Sequence, residues 1–164
     1  MTSLSKFYGD KANIEKIIPI INGKSDISLR LLDWFVTNYC KKTATIINAT
    51  ESSSLNVYLS YRSQLKAYSK QQFDPFRRRD RIAFYYNKDE SIETTIGQLN
   101  FFRWVIQNSI IDYITENIQV IEQDMFAVQK INNKEKGSKK RIELTKSFVK
   151  NMNVFEGTRT MSFN

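Results

Sequence analysis

Four arginines, Arg77, Arg78, Arg79 and Arg81, crowd into five positions directly after the turn Phe73-Asp74-Pro75-Phe76. Guanidinium groups are forked donors that match phosphate oxygens, and they keep their charge when partly desolvated. Phe73 and Phe76 could stack on an exposed base. The competing reading anchors both rings in the core and pairs the arginines with Asp74, Asp80 and other acids. If the run is extended, residues 77, 79 and 81 share one face and 78 the other, so at least one arginine is expected to serve the fold.

Charge elsewhere follows the same pattern. The net charge of +8 is unevenly spread: residues 62–81 carry +5, residues 130–150 carry +6, and the remainder sums to −3. Two basic segments, rather than a uniformly basic surface, point to a polyanionic partner. Arg62, Lys66 and Lys70 support the arginine run. In the second segment Lys139, Lys140 and Arg141 form a short basic patch that also matches a nuclear-import pattern, while a solvated linker is the plain alternative. Tyr58, Tyr61, Tyr68, Tyr85 and Tyr86 interleave with the first segment. On one sheet face they would make a platform for a single strand, although core packing accounts for most tyrosines in strands.

Enzyme chemistry finds little to work with. The chain has no histidine and one cysteine, Cys40, which excludes Ser-His-Asp and Cys-His nucleophile systems, an intramolecular disulfide and cysteine metal clusters. Cys40 reads as a buried, inert thiol. No phosphate-binding glycine loop, HExxH, GxSxG or CxxC occurs. Asp74, Asp80, Asp89 and Glu90 would hold a metal only if the fold gathered them. No catalytic residue, metal site or cofactor is therefore expected.

The elements that must position these residues are read from periodicity. With 164 residues, 41% hydrophobic and 13% aromatic, and only 5 Gly and 2 Pro, the chain can bury one core. Residues 1–24 form a lead-in whose apolar run, broken by Pro19, is too short to span a membrane; a soluble, intracellular protein is expected. DISLRLLDWFVTNYCKK predicts a first helix, capped by Ser25 or Asp26. TATIIN and LNVYLSY predict an antiparallel hairpin, RSQLKAYSKQQ a short helix start, and RIAFYY a third strand. From Ser91 onward Leu99, Phe102, Ile106, Ile110, Ile114, Ile118, Ile121, Met125 and Val128 recur every three or four residues. This predicts a long helix capped by Thr94 or Thr95, with Asn108-Ser109 as a break that would make it two. Glu116, Glu122 and Asp124 are expected to face outward, and TRTMSFN to close a sheet edge.

The passages VYLSYRSQLKAYSKQQFDPFRRRDRI and TTIGQLNFFRWVIQNSIIDYI, together with KKRIEL, resemble a small protein of the giant nucleocytoplasmic large DNA viruses. The resemblance covers roughly residues 27–164 and implies a viral protein in the virion or the host cytoplasm, at the viral factory. It implies no activity and no functional residue.

The expectation is thus an α+β fold: a small antiparallel sheet packed on two main helices, one long, about 94–130. The domains are a lead-in (1–24), a core (25–131) and a basic segment with a C-terminal strand (132–164). The expected function is non-enzymatic binding of nucleic acid, DNA foremost, through backbone phosphates. The alternative is a virion structural or assembly protein whose basic patches meet other virion proteins. Dimerisation through the long helix is open in both.

Overall fold

Short polar side chains set the helix starts. In the computed structural model of the chain, which describes residues 3–50, 53–69, 71–87 and 90–138, Asp10, Ser28, Asn56 and Thr95 each accept a bond from a first-turn amide. The donors are Ala12, Leu31, Leu59 and Gln98, at 3.0–3.1 Å. Each such cap stabilises its helix by about 1 kcal/mol. After a short α1 (Ser3–Phe7), they open α2 (Lys11–Ile21), α3 (Leu29–Trp34), α5 (Val57–Ala67) and α6 (Ile96–Gln107). The first predicted helix is thus capped by Ser28, while Ser25 instead accepts from Ile27 N–H in the preceding turn. α3 continues without interruption through a π-helical turn, Phe35–Tyr39, into α4 (Cys40–Thr43), and ends at Ala44 in the left-handed region.

The fold is α+β, as expected, with its strands in two separate antiparallel pairs. β1 (Ile46–Thr50) pairs with β2 (Ser53–Asn56), Ile47 opposite Leu55; β3 (Ile82–Tyr85) pairs with β4 (Ser91–Thr94), Phe84 opposite Ile92. One sequence reading is corrected by α5. Residues 57–61, expected to extend the second strand, open α5: Leu55, Val57, Leu59 and Tyr61 alternate, but Val57, Tyr61, Leu65 and Tyr68 also share a helix face, and the Asn56 cap decides between the two periods. Ser91–Thr94, which precede the expected helix, form a strand, and Thr95, one of the two expected caps, opens α6.

The stripe itself holds, divided at the break. Asn108 closes α6, its side-chain amide donating to Trp104 O at 2.7 Å, and Ser109 is left-handed. α7 (Ile110–Ser138) follows and kinks at Asn117. Residues 1–129 form one compact unit. Its core joins Leu31, Leu32, Phe35 and Val36 to Val57, Leu99, Phe101, Phe102, Val105, Ile110 and Ile114, each fully buried. At roughly 1.5–3 kcal/mol per large apolar side chain, these dominate the folding free energy. Residues 1–24, read from sequence as a lead-in, supply Leu4, Tyr8, Ile14, Ile17 and Ile20 to the same core, and the Tyr8 hydroxyl donates to Leu99 O at 2.7 Å. Asp124 does not face outward: it accepts from Trp34 Nε1 and pairs with Lys42. A second unit begins at Lys130, where residues 130–138 remain helical. The expected C-terminal strand lies outside the described residues. Among the described residues no helix is long and apolar enough to cross a membrane.

Candidate nucleic-acid interface

The arginine run sits on a loop stapled at its base. Phe73 is buried and stacks on Tyr68, with ring centroids 5.7 Å apart, and meets Phe101 and Trp104 edge-on at 5.6 and 5.9 Å. Asp74 makes a local turn, its carboxylate accepting from Phe76 N–H at 2.8 Å, which explains why Asp precedes Pro here. Three further bonds tie the loop to α6: Asp74 N–H to Gly97 O (3.3 Å), Gln98 Nε2 to Pro75 O (2.9 Å) and Asn100 Nδ2 to Gln72 O (2.9 Å). Gly97 permits the approach, since a Cβ there would lie 2.8 Å from Gln71 O. Phe76, expected to share the anchoring, is 45% exposed.

This geometry sorts the arginines. β3 starts only at Ile82, so residues 77–81 are not extended strand, and alternation does not divide them between two faces. Asp80 instead turns the chain in the left-handed region and binds the Arg77 guanidinium, whose side chain is only 19% exposed. Arg81 pairs with Glu93 at 3.0 Å. Arg78 and Arg79 are exposed and form no ion pair among the described residues. A cleft of about 470 Å³ lies between the loop and the start of α6, lined by Phe76, Arg77, Arg78, Arg81, Thr95 and Gln98. A smaller one of about 210 Å³ holds Arg79 with Arg77, Thr95 and Gly97. The first turn of α6, whose amides point outward, borders both.

With this geometry in place, comparison with known proteins gives the chain its relatives. The pattern of the "Family of unknown function (DUF7197)" matches residues 2–159. The chain belongs to this family. A relative, "Uncharacterized protein L507" of Acanthamoeba polyphaga mimivirus, is 41% identical over 151 residues, covering 87% of this chain. The chain spans 58% of that relative's length. No solved structure matches. The resemblance to a giant-virus protein read from the sequence is borne out.

In this DUF7197 chain the other expected contacts fall in different places. Arg62 and Lys66 are exposed on α5. Lys70, Lys139, Lys140 and Arg141 lie outside the described residues. No tyrosine platform forms on a sheet face: Tyr58 and Tyr61 belong to α5, Tyr68 ends it, and all three pack on the core, while Tyr85 is exposed on β3. Cys40 is fully buried, and burial pushes its thiol up to about 12. Asp74 and Asp80 are engaged within the loop, and no metal-binding group of three acids or cysteines occurs among the described residues.

One feature of the same loop escaped the sequence. Asp33, at the end of α3, and Asp74 face a cavity of about 600 Å³ beside Tyr58, Tyr61, Leu65 and Phe73. Burial raises the Asp33 carboxyl above its ordinary value, and the negative charge of Asp74 adds to this. Burial, Asp33 and Asp74 together push the Tyr61 phenol up to about 12. Nothing in the local sequence around either aspartate signals the pairing.

Proposed function

We propose that this giant-virus protein binds nucleic acid without catalysis, gripping backbone phosphates of DNA with the arginine loop. The observation that carries the reading is the exposure of Arg78 and Arg79 on a loop fixed to α6 by three hydrogen bonds. A loop backbone already held in place needs little ordering on binding, so the cost falls on the side chains alone, and bidentate donation suits phosphate. The positive end of α6 adds a favourable field at both clefts. Arg77 and Arg81, already committed to Asp80 and Glu93, hold the loop and raise the local potential. Arg62 and Lys66 extend the basic surface along α5, and the segment containing Lys139, Lys140 and Arg141 adds non-specific attraction. Contacts of this kind read the backbone and carry little sequence preference. The protein then works in the virion or at the viral factory, where its polyanion is concentrated.

A second reading, assembly with other virion proteins, draws on α7. Val120 and Phe126 are 56% and 58% exposed there, a helix surface that a partner or a second copy could cover. Titrating duplex and single-stranded DNA at increasing salt, in parallel with size-exclusion chromatography, separates the two. A steep salt dependence with a monomeric protein supports phosphate binding. Salt-insensitive self-association with no DNA binding supports assembly.

A further inference from the structure

A second cavity, which shares Pro75 with the arginine cleft, has the reverse chemistry. Two carboxylates, Asp33 and Asp74, look into it. One oxygen of Asp74 accepts from Phe76 N–H, and the Asp33 side chain has no hydrogen-bond or ion-pair partner among the described residues. Its walls are Tyr58, Tyr61, Leu65 and Phe73, of which Phe73 is fully buried and the others are partly so. A half-buried carboxylate beside a second one favours a bound positive charge. Arg62 stands on the rim, yet it makes no ion pair with either acid. The helix that carries Asp33 widens into its π-turn immediately afterwards, and Thr37 of that turn also lines the cavity. Such insertions recur where a helix wall is shaped around a site.

We propose that this cavity binds an organic cation, an alkylammonium group on an apolar arm, with Asp33 and Asp74 taking the charge and Tyr58, Tyr61 and Leu65 taking the arm. At about 600 Å³ the space falls within the range of small-ligand and side-chain sites. Aromatic faces add attraction for a cation, and a carboxylate adds a charge-assisted hydrogen bond. A bare metal ion fits poorly, because Asp33 and Asp74 are the cavity's two acids and no group of three acids or cysteines that could hold a metal occurs among the described residues. The site takes a charge opposite in sign to phosphate, and it meets the proposed phosphate surface at Pro75 and Arg62.

The test is nuclear magnetic resonance titration of the full chain with cadaverine, with Nα-acetyl-lysine methylamide and with n-pentanol, which has the arm without the charge. The two cationic probes distinguish a free amine from a protein side chain as the source. Saturable shifts at the amides of Thr37, Tyr61 and Leu65 with either amine, and far weaker shifts with n-pentanol, are expected. Asp33→Asn should weaken amine binding about tenfold, the scale of one charge-assisted hydrogen bond. Arg62→Gln should strengthen it severalfold by removing the rim's own positive charge. Equal response to amine and alcohol, or an Asp33→Asn variant that binds as the natural chain does, overturns the proposal.

Discussion

The side-chain amide of Gln98 donates to the carbonyl of Pro75 at 2.9 Å, while its other end accepts from the Thr94 hydroxyl at the same distance. One nearly buried residue thus links β4, the first turn of α6 and the arginine loop. Gln98→Leu keeps the volume but leaves the Pro75 carbonyl and the Thr94 hydroxyl without this partner. A loss of about 1–3 kcal/mol is expected by urea denaturation, together with weaker DNA binding, since the loop loses a tether while every arginine is retained.

Gly97 sets how closely the loop can approach. Alanine normally gains about 1 kcal/mol over glycine inside a helix. Here its Cβ would lie 2.8 Å from the backbone oxygen of Gln71, and a backbone atom cannot rotate away. Overpacking costs of about 1–3 kcal/mol exceed the propensity gain. Gly97→Ala is expected to lower the denaturation midpoint and to shift the amide resonances of residues 71–74. An unchanged or raised midpoint would mean that the loop yields freely.

Phe73 and Phe76 look alike in sequence and differ in consequence. Phe73→Ala removes a buried ring from its packing against Tyr68, Phe101 and Trp104, and a loss of about 3–5 kcal/mol follows. Phe76→Ala, at an exposed position, should stay within about 0.5 kcal/mol of the natural chain. It should weaken single-stranded DNA more than duplex, because only unpaired bases offer a face for stacking.

Asp33 makes stability depend on pH in a defined direction. Its folded-state carboxyl binds a proton more tightly than the unfolded chain does, because it is buried and lies beside Asp74. The folded state therefore loses stability from this group as pH rises from the ordinary value of 3.8 through the raised folded value. Asp33→Asn removes that loss. The variant should be more stable than the natural chain at neutral pH, with the difference shrinking as pH falls toward 3.8. Paired denaturation curves across this window check the sign.

The sequence revealed elements where one periodicity had no rival. The stripe from Leu99 to Met125, the Thr95 cap and the Asn108-Ser109 break were all visible there, as was the burial of Cys40. It misled at Val57–Tyr61, where periods of two and of about four both fit and a single cap, Asn56, decided the matter. The arginine loop was legible as charge, but its division was not. Arg77 is tied to Asp80 because Asp80 adopts the left-handed region, and no pattern of apolar residues encodes that. The acidic cavity was hidden for a different reason: Asp33 and Asp74 come from separate elements and meet only through tertiary packing.

Whether Arg78 and Arg79 grip phosphates is tested most directly by the salt dependence of DNA affinity. Fluorescence anisotropy with labelled duplex, over a range from about 50 to 200 mM salt, gives the slope of log K against log salt concentration. Replacing both residues with glutamine should leave the fold intact, since neither is paired among the described residues. The magnitude of that slope should fall by about 2, roughly one for each phosphate no longer neutralised. A natural chain that fails to bind at the lowest salt, or a double variant with the same affinity and slope as the natural chain, would contradict that grip.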